Sequence, residues 1–307
     1  MNNHIVIAGA GAVGQNAAQY CLGKNLADVV LLDIEEDMAR GKALDLNHAA
    51  PYLGHSRTAY GGNDYSMCEG AKVLVIAAGL PRLPGMSRDD LLQKNIAIVS
   101  EIVEKALKYA PDAIIVMVTN PLDILTYTVK KKFALPASRI LGMSGSLDTA
   151  RMRFAIAEAL GVPTSSVKTL VLGEHGDTMV PLPRLATVSG IPVSQLLSSE
   201  QIAEVVTKTT TGGAMVVNLM KRSASISPGV AISTIVEAIM HNTREIVPCS
   251  VYLDGQFGAR DLCMCAPARI GANGVEEVFT FALEADEQAA LDKSIAKIRA
   301  GLDSLAL

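Results

Sequence analysis

In VLGEHGDTM, residues 171–179, a glutamate, a histidine and an aspartate fall within four positions bracketed by glycines. Three chemistries are open to Glu174, His175 and Asp177. They could form a local metal-ligand group. His175 could instead exchange protons with a reacting group, its partner lying elsewhere in the chain, or it could be a turn histidine with no chemical task. The stretch alone does not separate these readings.

A second constellation is more specific. GAGAVG places Gly9, Gly11 and Gly14 in G-x-G-x-x-G spacing, with Ala10, Ala12 and Val13 between them, directly after an apolar run. In that context Gly9 permits a tight turn, Gly11 lets the backbone approach a pyrophosphate, and Gly14 allows a helix to pack closely on a strand. Asp33 closes the next apolar run about 20 residues on, where a carboxylate accepts hydrogen bonds from ribose hydroxyls. It would repel a 2′-phosphate, so the expected cofactor is NAD rather than NADP.

Arginines follow. GLPRLPGMSRDDL carries Arg82 and Arg88 on a turn-rich segment suited to capturing an anion or to closing as a lid. SGSLDTARMR sets Asp148 and Arg151 at i, i+3, which an ordinary intrahelical ion pair would also explain. VMVTNPLD brings Asn120 to the carboxyl end of an expected strand, where open α/β sheets bind ligands.

These groups need elements to hold them. HIVIAGA, DVVLLDI, KVLVIAAG and AIIVMVTN alternate with helix-like stretches, including one from Ser87 to Tyr109. Strand and helix in alternation predict a doubly wound parallel sheet of Rossmann type over residues 1–142. Beyond it the pattern changes. A helix is expected at 146–160, strand-like SVKTLVLG before the histidine, helices at 195–222 and 229–244, two short strands, and a last helix at 284–303. Residues 143–307 therefore read as an α+β catalytic or substrate domain, with a cleft between the two units.

Bulk composition narrows the function. The 307 residues are 50% hydrophobic and 19% charged, with net charge −4 and a mean hydropathy of +0.30. No apolar run reaches the roughly 18 residues of a membrane span, and no basic stripe suggests nucleic acid. So much apolar surface predicts buried strands and a subunit interface, hence a homo-oligomer. The opening MNNHIVIAGAG has neither a basic start nor a cleavage site, and with five cysteines in no paired spacing it predicts a cytoplasmic chain with reduced thiols.

Taken in order, GAGAVG, LLDI, GLPRLPGMSRDDLLQKN, VTNPLD, LDTARMR and GEHGDTMVP resemble the lactate and malate dehydrogenases, in particular the malate dehydrogenases that are similar to lactate dehydrogenase. The resemblance covers almost the whole chain. It implies His175 as catalytic acid and base, Asp148 as the carboxylate that orients it, Arg151 as anchor of the substrate's C1 carboxylate, and Arg88 as the group polarising the reacting carbonyl. Asn120 would contact both substrate and nicotinamide, and Asn95 and Val118 would be further cofactor contacts. The family's members acting on lactate carry glutamine where Arg82 stands, and those acting on malate and oxaloacetate carry arginine. A buried distal carboxylate needs such a counter-charge. Ala224, where lactate enzymes carry a threonine, leaves room for a larger substrate, while Ser225, Ile226 and Ser146 depart from the common pattern.

The resemblance thus implies reversible oxidation of (S)-malate to oxaloacetate, no metal, a place in the tricarboxylic acid cycle, and a homodimer or homotetramer. Three alternatives are weighed against it. A lactate or broader 2-hydroxy acid dehydrogenase would prefer pyruvate. NAD-dependent glycosidases share a similar first domain but need metal ligands and a longer chain. An NAD-binding redox sensor would give no reason to keep His175, Asp148, Arg88 and Arg151 together.

Overall fold

The computed structural model describes residues 1–81 and 88–305, with the backbone alone at 88 and 89. Arg82 therefore lies outside the described residues, as does the Arg88 side chain.

The apolar runs of the first half become strands buried along most of their length. The strands of this half are β1 (His4–Ala8), β2 (Val29–Leu32), β3 (Ala59–Gly62), β4 (Ala71–Ile76), β5 (Ile114–Met117) and β6 (Ile140–Gly142), of which β3, at the sheet edge, is part-exposed. All pair in parallel, in the order β3-β2-β1-β4-β5-β6. The chain reverses direction across the sheet between β1 and β4, which opens a crevice at their carboxyl ends. Helices α1 (Ala12–Gly23), α2 (Glu36–Leu53), α3 (Arg88–Leu107), α4 (Leu122–Lys132) and α5 (Ser144–Leu160) supply the covering layers.

In the second half, SVKTLVLG splits into two short strands, β7 (Val167–Lys168) and β8 (Val171–Leu172). β8 pairs antiparallel with β9 (Val180–Pro181), so the stretch carrying His175 is the loop of a small hairpin. β10 (Thr187–Val188) and β11 (Ile191–Pro192) form a three-stranded patch with β7. Two long helices follow, α6 (Ser199–Met220) and α7 (Ile226–Met240). α7 begins earlier than expected because Pro228 sits in its first turn, where no amide donor is needed. It ends at Met240 because Asn242 and Arg244 take left-handed conformations that turn the chain into a strand.

That strand, β12 (Glu245–Asp254), pairs antiparallel with β13 (Arg260–Gly271), which pairs with β14 (Gly274–Val278). Ser250 of β12 also pairs with Gly142 of β6, so one nine-stranded sheet runs through both halves of the chain. The last helix, α8 (Ala285–Asp303), returns toward the His175 loop. The five cysteines are buried and unbridged. Among the described residues no helix is long and apolar enough to cross a membrane.

Candidate active site

The glycine turn divides its labour. Gly9 has φ of +102°, and a Cβ there would lie 2.5 Å from the Ala78 nitrogen on the loop after β4. A Cβ on Gly14 would fall 1.9 Å from the Gly9 carbonyl oxygen, whereas nothing lies within 4 Å of one on Gly11. The first and third glycines are needed for packing, and the second is open. Gly11 precedes α1 without a side-chain cap, which leaves the first turn of the helix uncapped by its own N-cap residue, with Gly11 and Ala12 exposed there.

Asp33, at the end of β2, accepts from the Ala10 amide at 2.7 Å and from the Glu35 amide at 3.1 Å. Lys42 donates to the Ala10 carbonyl at 2.6 Å, so Ala10 is held through both of its backbone polar groups. Lys42 carried no motif signal, since its partner is a main-chain oxygen. Together, the open Gly11, the uncapped helix and the carboxylate at the next strand end fit a dinucleotide. Val13 packs half-buried against the core.

Farther along the crevice, Val118 follows β5 and donates its amide to Ile76 at 3.0 Å. Asn95 of α3 is 1% exposed, and its amide is committed to backbone. Oδ1 accepts from the Leu80 amide at 2.8 Å, and Nδ2 donates to the Leu80 carbonyl at 3.2 Å and the Asn120 carbonyl at 2.8 Å. Asn95 thereby ties the start of the arginine-bearing segment to Asn120, which is itself exposed at the carboxyl end of β5.

His175 reaches the crevice because its loop is pinned from two sides, by α8 and by Asp123 of α4. Gly173 has φ of +86°, and a Cβ on it would lie 2.6 Å from Ser294 Oγ of α8. The Ser294 hydroxyl accepts from the Glu174 amide at 2.6 Å. The His175 amide donates to Asp123 Oδ2 at 2.7 Å. The crowding seen in the sequence disperses in space: Glu174 accepts from Thr178 and Lys297, and Asp177 also lies 3.7 Å from Lys297.

The imidazole has a different partner. His175 Nδ1 lies 2.7 Å from Asp148 Oδ2, and the other oxygen of Asp148 accepts from Arg151 Nη1 at 2.8 Å. Asp148 belongs to the inward stripe of α5 with Met152 and Ala155, and it is 2% exposed. A carboxylate so placed requires charged or donor partners, and it has both. Burial lowers the His175 pKa, but the charge and hydrogen bond of Asp148, helped by Asp123, more than offset it, so the imidazole titrates above its ordinary value.

Asp123 is the residue that motif reading passed over, although it stands in VTNPLD. It is 3% exposed and accepts from the His175 amide and, at 2.6 Å, from the Ser250 hydroxyl of β12. Burial pushes its carboxyl up to about 6 despite these two donors. His175 and Asn120 share a cleft with Leu91 and Leu92 of α3 and with Ile298 of α8. A half-buried imidazole oriented by a carboxylate, a guanidinium on the same carboxylate and a dinucleotide cradle on one sheet suit transfer of a proton and a hydride.

Comparison with known proteins agrees with this geometry. Residues 3–142 match the lactate/malate dehydrogenase NAD binding domain, and residues 145–306 match the alpha/beta C-terminal domain of the same family. A malate dehydrogenase of Desulforudis audaxviator is 46% identical over 302 residues, 98% of either chain. The crystal structure of Cryptosporidium parvum malate dehydrogenase superposes with a TM-score of 0.95 at 38% identity, covering 99% of this chain and 100% of that one. The lactate dehydrogenase of the same organism, complexed with lactic acid and NAD, gives 0.95 at 35% identity, covering 99% and 98%. The chain belongs to the lactate/malate dehydrogenase family.

Proposed function

We propose that this chain is an NAD-dependent malate dehydrogenase, oxidising (S)-malate to oxaloacetate and running in reverse. The observation that carries the reading is Asp148 joining the His175 imidazole to the Arg151 guanidinium. Proton acceptor and carboxylate anchor are thereby held in fixed relation.

Arg151 binds the C1 carboxylate through its planar donor fork. Asp148 holds Nδ1, which leaves Nε2 to take the C2 hydroxyl proton and to return it in the reverse direction. The imidazolium so formed is stabilised by Asp148. NAD, when bound, supplies the hydride acceptor at its nicotinamide. Asn120 orients the reacting oxygen from the end of β5, and Asn95 holds Asn120 in place. Arg88 polarises the C2 carbonyl of oxaloacetate, and Arg82 pairs with the distal carboxylate.

The family's near-identical lactate fold favours one competing substrate, pyruvate. NADH oxidation with oxaloacetate and with pyruvate, repeated with NADPH, separates the readings. Faster turnover of pyruvate would replace malate by lactate, and no turnover of either would leave an NAD-binding sensor. His175→Asn should bind NADH normally while losing nearly all turnover. The same reading places the enzyme in the tricarboxylic acid cycle of the cytoplasm as a homodimer or homotetramer, with exposed apolar residues such as Phe154, Met215 and Leu219 available for subunit contact.

A further inference from the structure

We propose that Gly213, beside Gly212 on α6, is a positioning residue whose bare backbone seats the Arg151 guanidinium in the pose that grips the substrate carboxylate. The inference rests on the reading of Arg151 as carboxylate anchor.

Two adjacent glycines inside a helix of 22 residues call for a reason. Glycine is the poorest helix-interior residue after proline, and α6 is otherwise well made, with Ser198 and Gln201 forming a capping box. The only α6 residues buried outright are Val205 and Thr209. Gly212 and Gly213 continue their stripe one turn on, where the similar-sized valine and threonine side chains give way to none. The chain opposite the glycines is Arg151 of α5.

The distances distinguish the two glycines. A Cβ on Gly213 would lie 3.1 Å from Arg151 Nη2 and 3.4 Å from both Cζ and Nη1. Three guanidinium atoms so nearly equidistant mean that the group lies across the glycine rather than pointing end-on at it. A Cβ on Gly212 would meet the same side chain nearer its stem, at 3.5 Å from Cδ and 3.9 Å from Cγ and Nε, which is ordinary contact. Arg151 is thus confined between the α6 backbone and Asp148, which accepts from Nη1 at 2.8 Å.

A methyl group at 213 would displace the guanidinium by a few tenths of an ångström. Recognition of a carboxylate by a planar fork depends on alignment. Because Asp148 also holds His175, the displacement would reach the imidazole only through that carboxylate, so substrate binding should suffer more than the chemical step.

The test compares Gly213→Ala with Gly212→Ala in the full-length protein, using whichever of oxaloacetate and pyruvate the unaltered chain reduces faster. For Gly213→Ala the KM for the 2-oxo acid should rise about five- to tenfold, since an error of 1 Å can cost about 10²-fold. Its kcat should fall less, NADH affinity should hold, and thermal stability should hold or improve because alanine suits a helix. Gly212→Ala should keep KM within about twofold, its methyl making only an ordinary contact. An unchanged KM in Gly213→Ala, or equal rises in both variants, would overturn the inference while leaving the function intact. Failure of the unaltered chain to reduce either 2-oxo acid would overturn both.

Discussion

Asp148 Oδ2 and His175 Nδ1 stand 2.7 Å apart although 27 positions separate them in the chain. Asp148 stands on the buried stripe of a helix and His175 on a hairpin loop, so the pair exists only once α5 has packed against that loop. The pairing is therefore a tertiary property.

That pairing sets a pH dependence whose sign can be stated. Burial depresses the His175 pKa and Asp148 more than restores it, leaving the group raised. With His175 in its proposed role, reduction of oxaloacetate draws on the imidazolium, so its kcat/KM should be level at low pH and fall as pH rises through the His175 pKa. Malate oxidation needs the neutral ring and should mirror it. In Asp148→Asn the main raising influence is lost and the falling limb should move to lower pH. At pH 8 oxaloacetate reduction should drop by about 10²-fold or more. A profile coinciding with that of the unaltered enzyme would remove Asp148 from this role.

Asp123 links folding stability to pH. Its folded-state pKa of about 6 lies above the ordinary carboxylate value of 3.8, because burial outweighs the donors on it. Between these values the folded chain keeps a proton that the unfolded chain releases. This group's favourable contribution is therefore full below about pH 4 and lost as pH rises through about 6. Asp123→Asn can still accept from the His175 amide, and the Ser250 hydroxyl can turn round to accept from the new amide. The variant should gain about 1–3 kcal/mol at pH 8 and about half as much at pH 5. A Tm difference that fails to widen between pH 5 and pH 8 would show that Asp123 is not a buried ionised group.

How far the sequence discloses this molecule differs from element to element. β1, β2, β4 and β5 are legible because each is a short apolar run between turn residues, and the glycine spacing shows where the first turn lies. β3, with the sequence AYGG, is not legible, since it has neither an apolar run nor alternation and forms at the edge of the sheet on β2. The continuity of β6 with β12 is also hidden, because their pairing is antiparallel and joins segments far apart in the chain. At the site, His175, Asp148 and Arg151 are recognisable as chemistry-bearing residues and through family resemblance. Asp123 and Lys42 escape notice because each binds the main chain of a distant segment. Local crowding misleads at Glu174, whose partners are Thr178 and Lys297.

Coenzyme choice should reside in Asp33. Its two oxygens hold the Ala10 and Glu35 amides at the end of β2, fixing a carboxylate at the position proposed for the adenosine ribose. Asp33→Ser removes that charge and one constraint on the glycine turn. KM for NADH should rise and NADPH should become usable, so that the NADH-to-NADPH preference in kcat/KM falls about 10²-fold, in keeping with like-charge repulsion of several kcal/mol. An unchanged preference would place the discrimination elsewhere, for instance at the nearby Lys42.

Substrate choice should reside in Arg82. Oxaloacetate carries a second carboxylate that pyruvate lacks, and desolvating it without a counter-charge is costly, whereas a guanidinium offers a matching fork. Arg82→Gln should therefore cost about 3–4 kcal/mol of transition-state stabilisation for oxaloacetate, or about 10²–10³-fold in kcat/KM. Pyruvate should lose nothing comparable, since no distal charge is left unpaired. The ratio of the two substrates is the decisive quantity, because a general loss of activity would lower both together. If oxaloacetate turnover survives the change intact, its distal carboxylate is bound by another group, and the assignment of malate over lactate loses its physical basis.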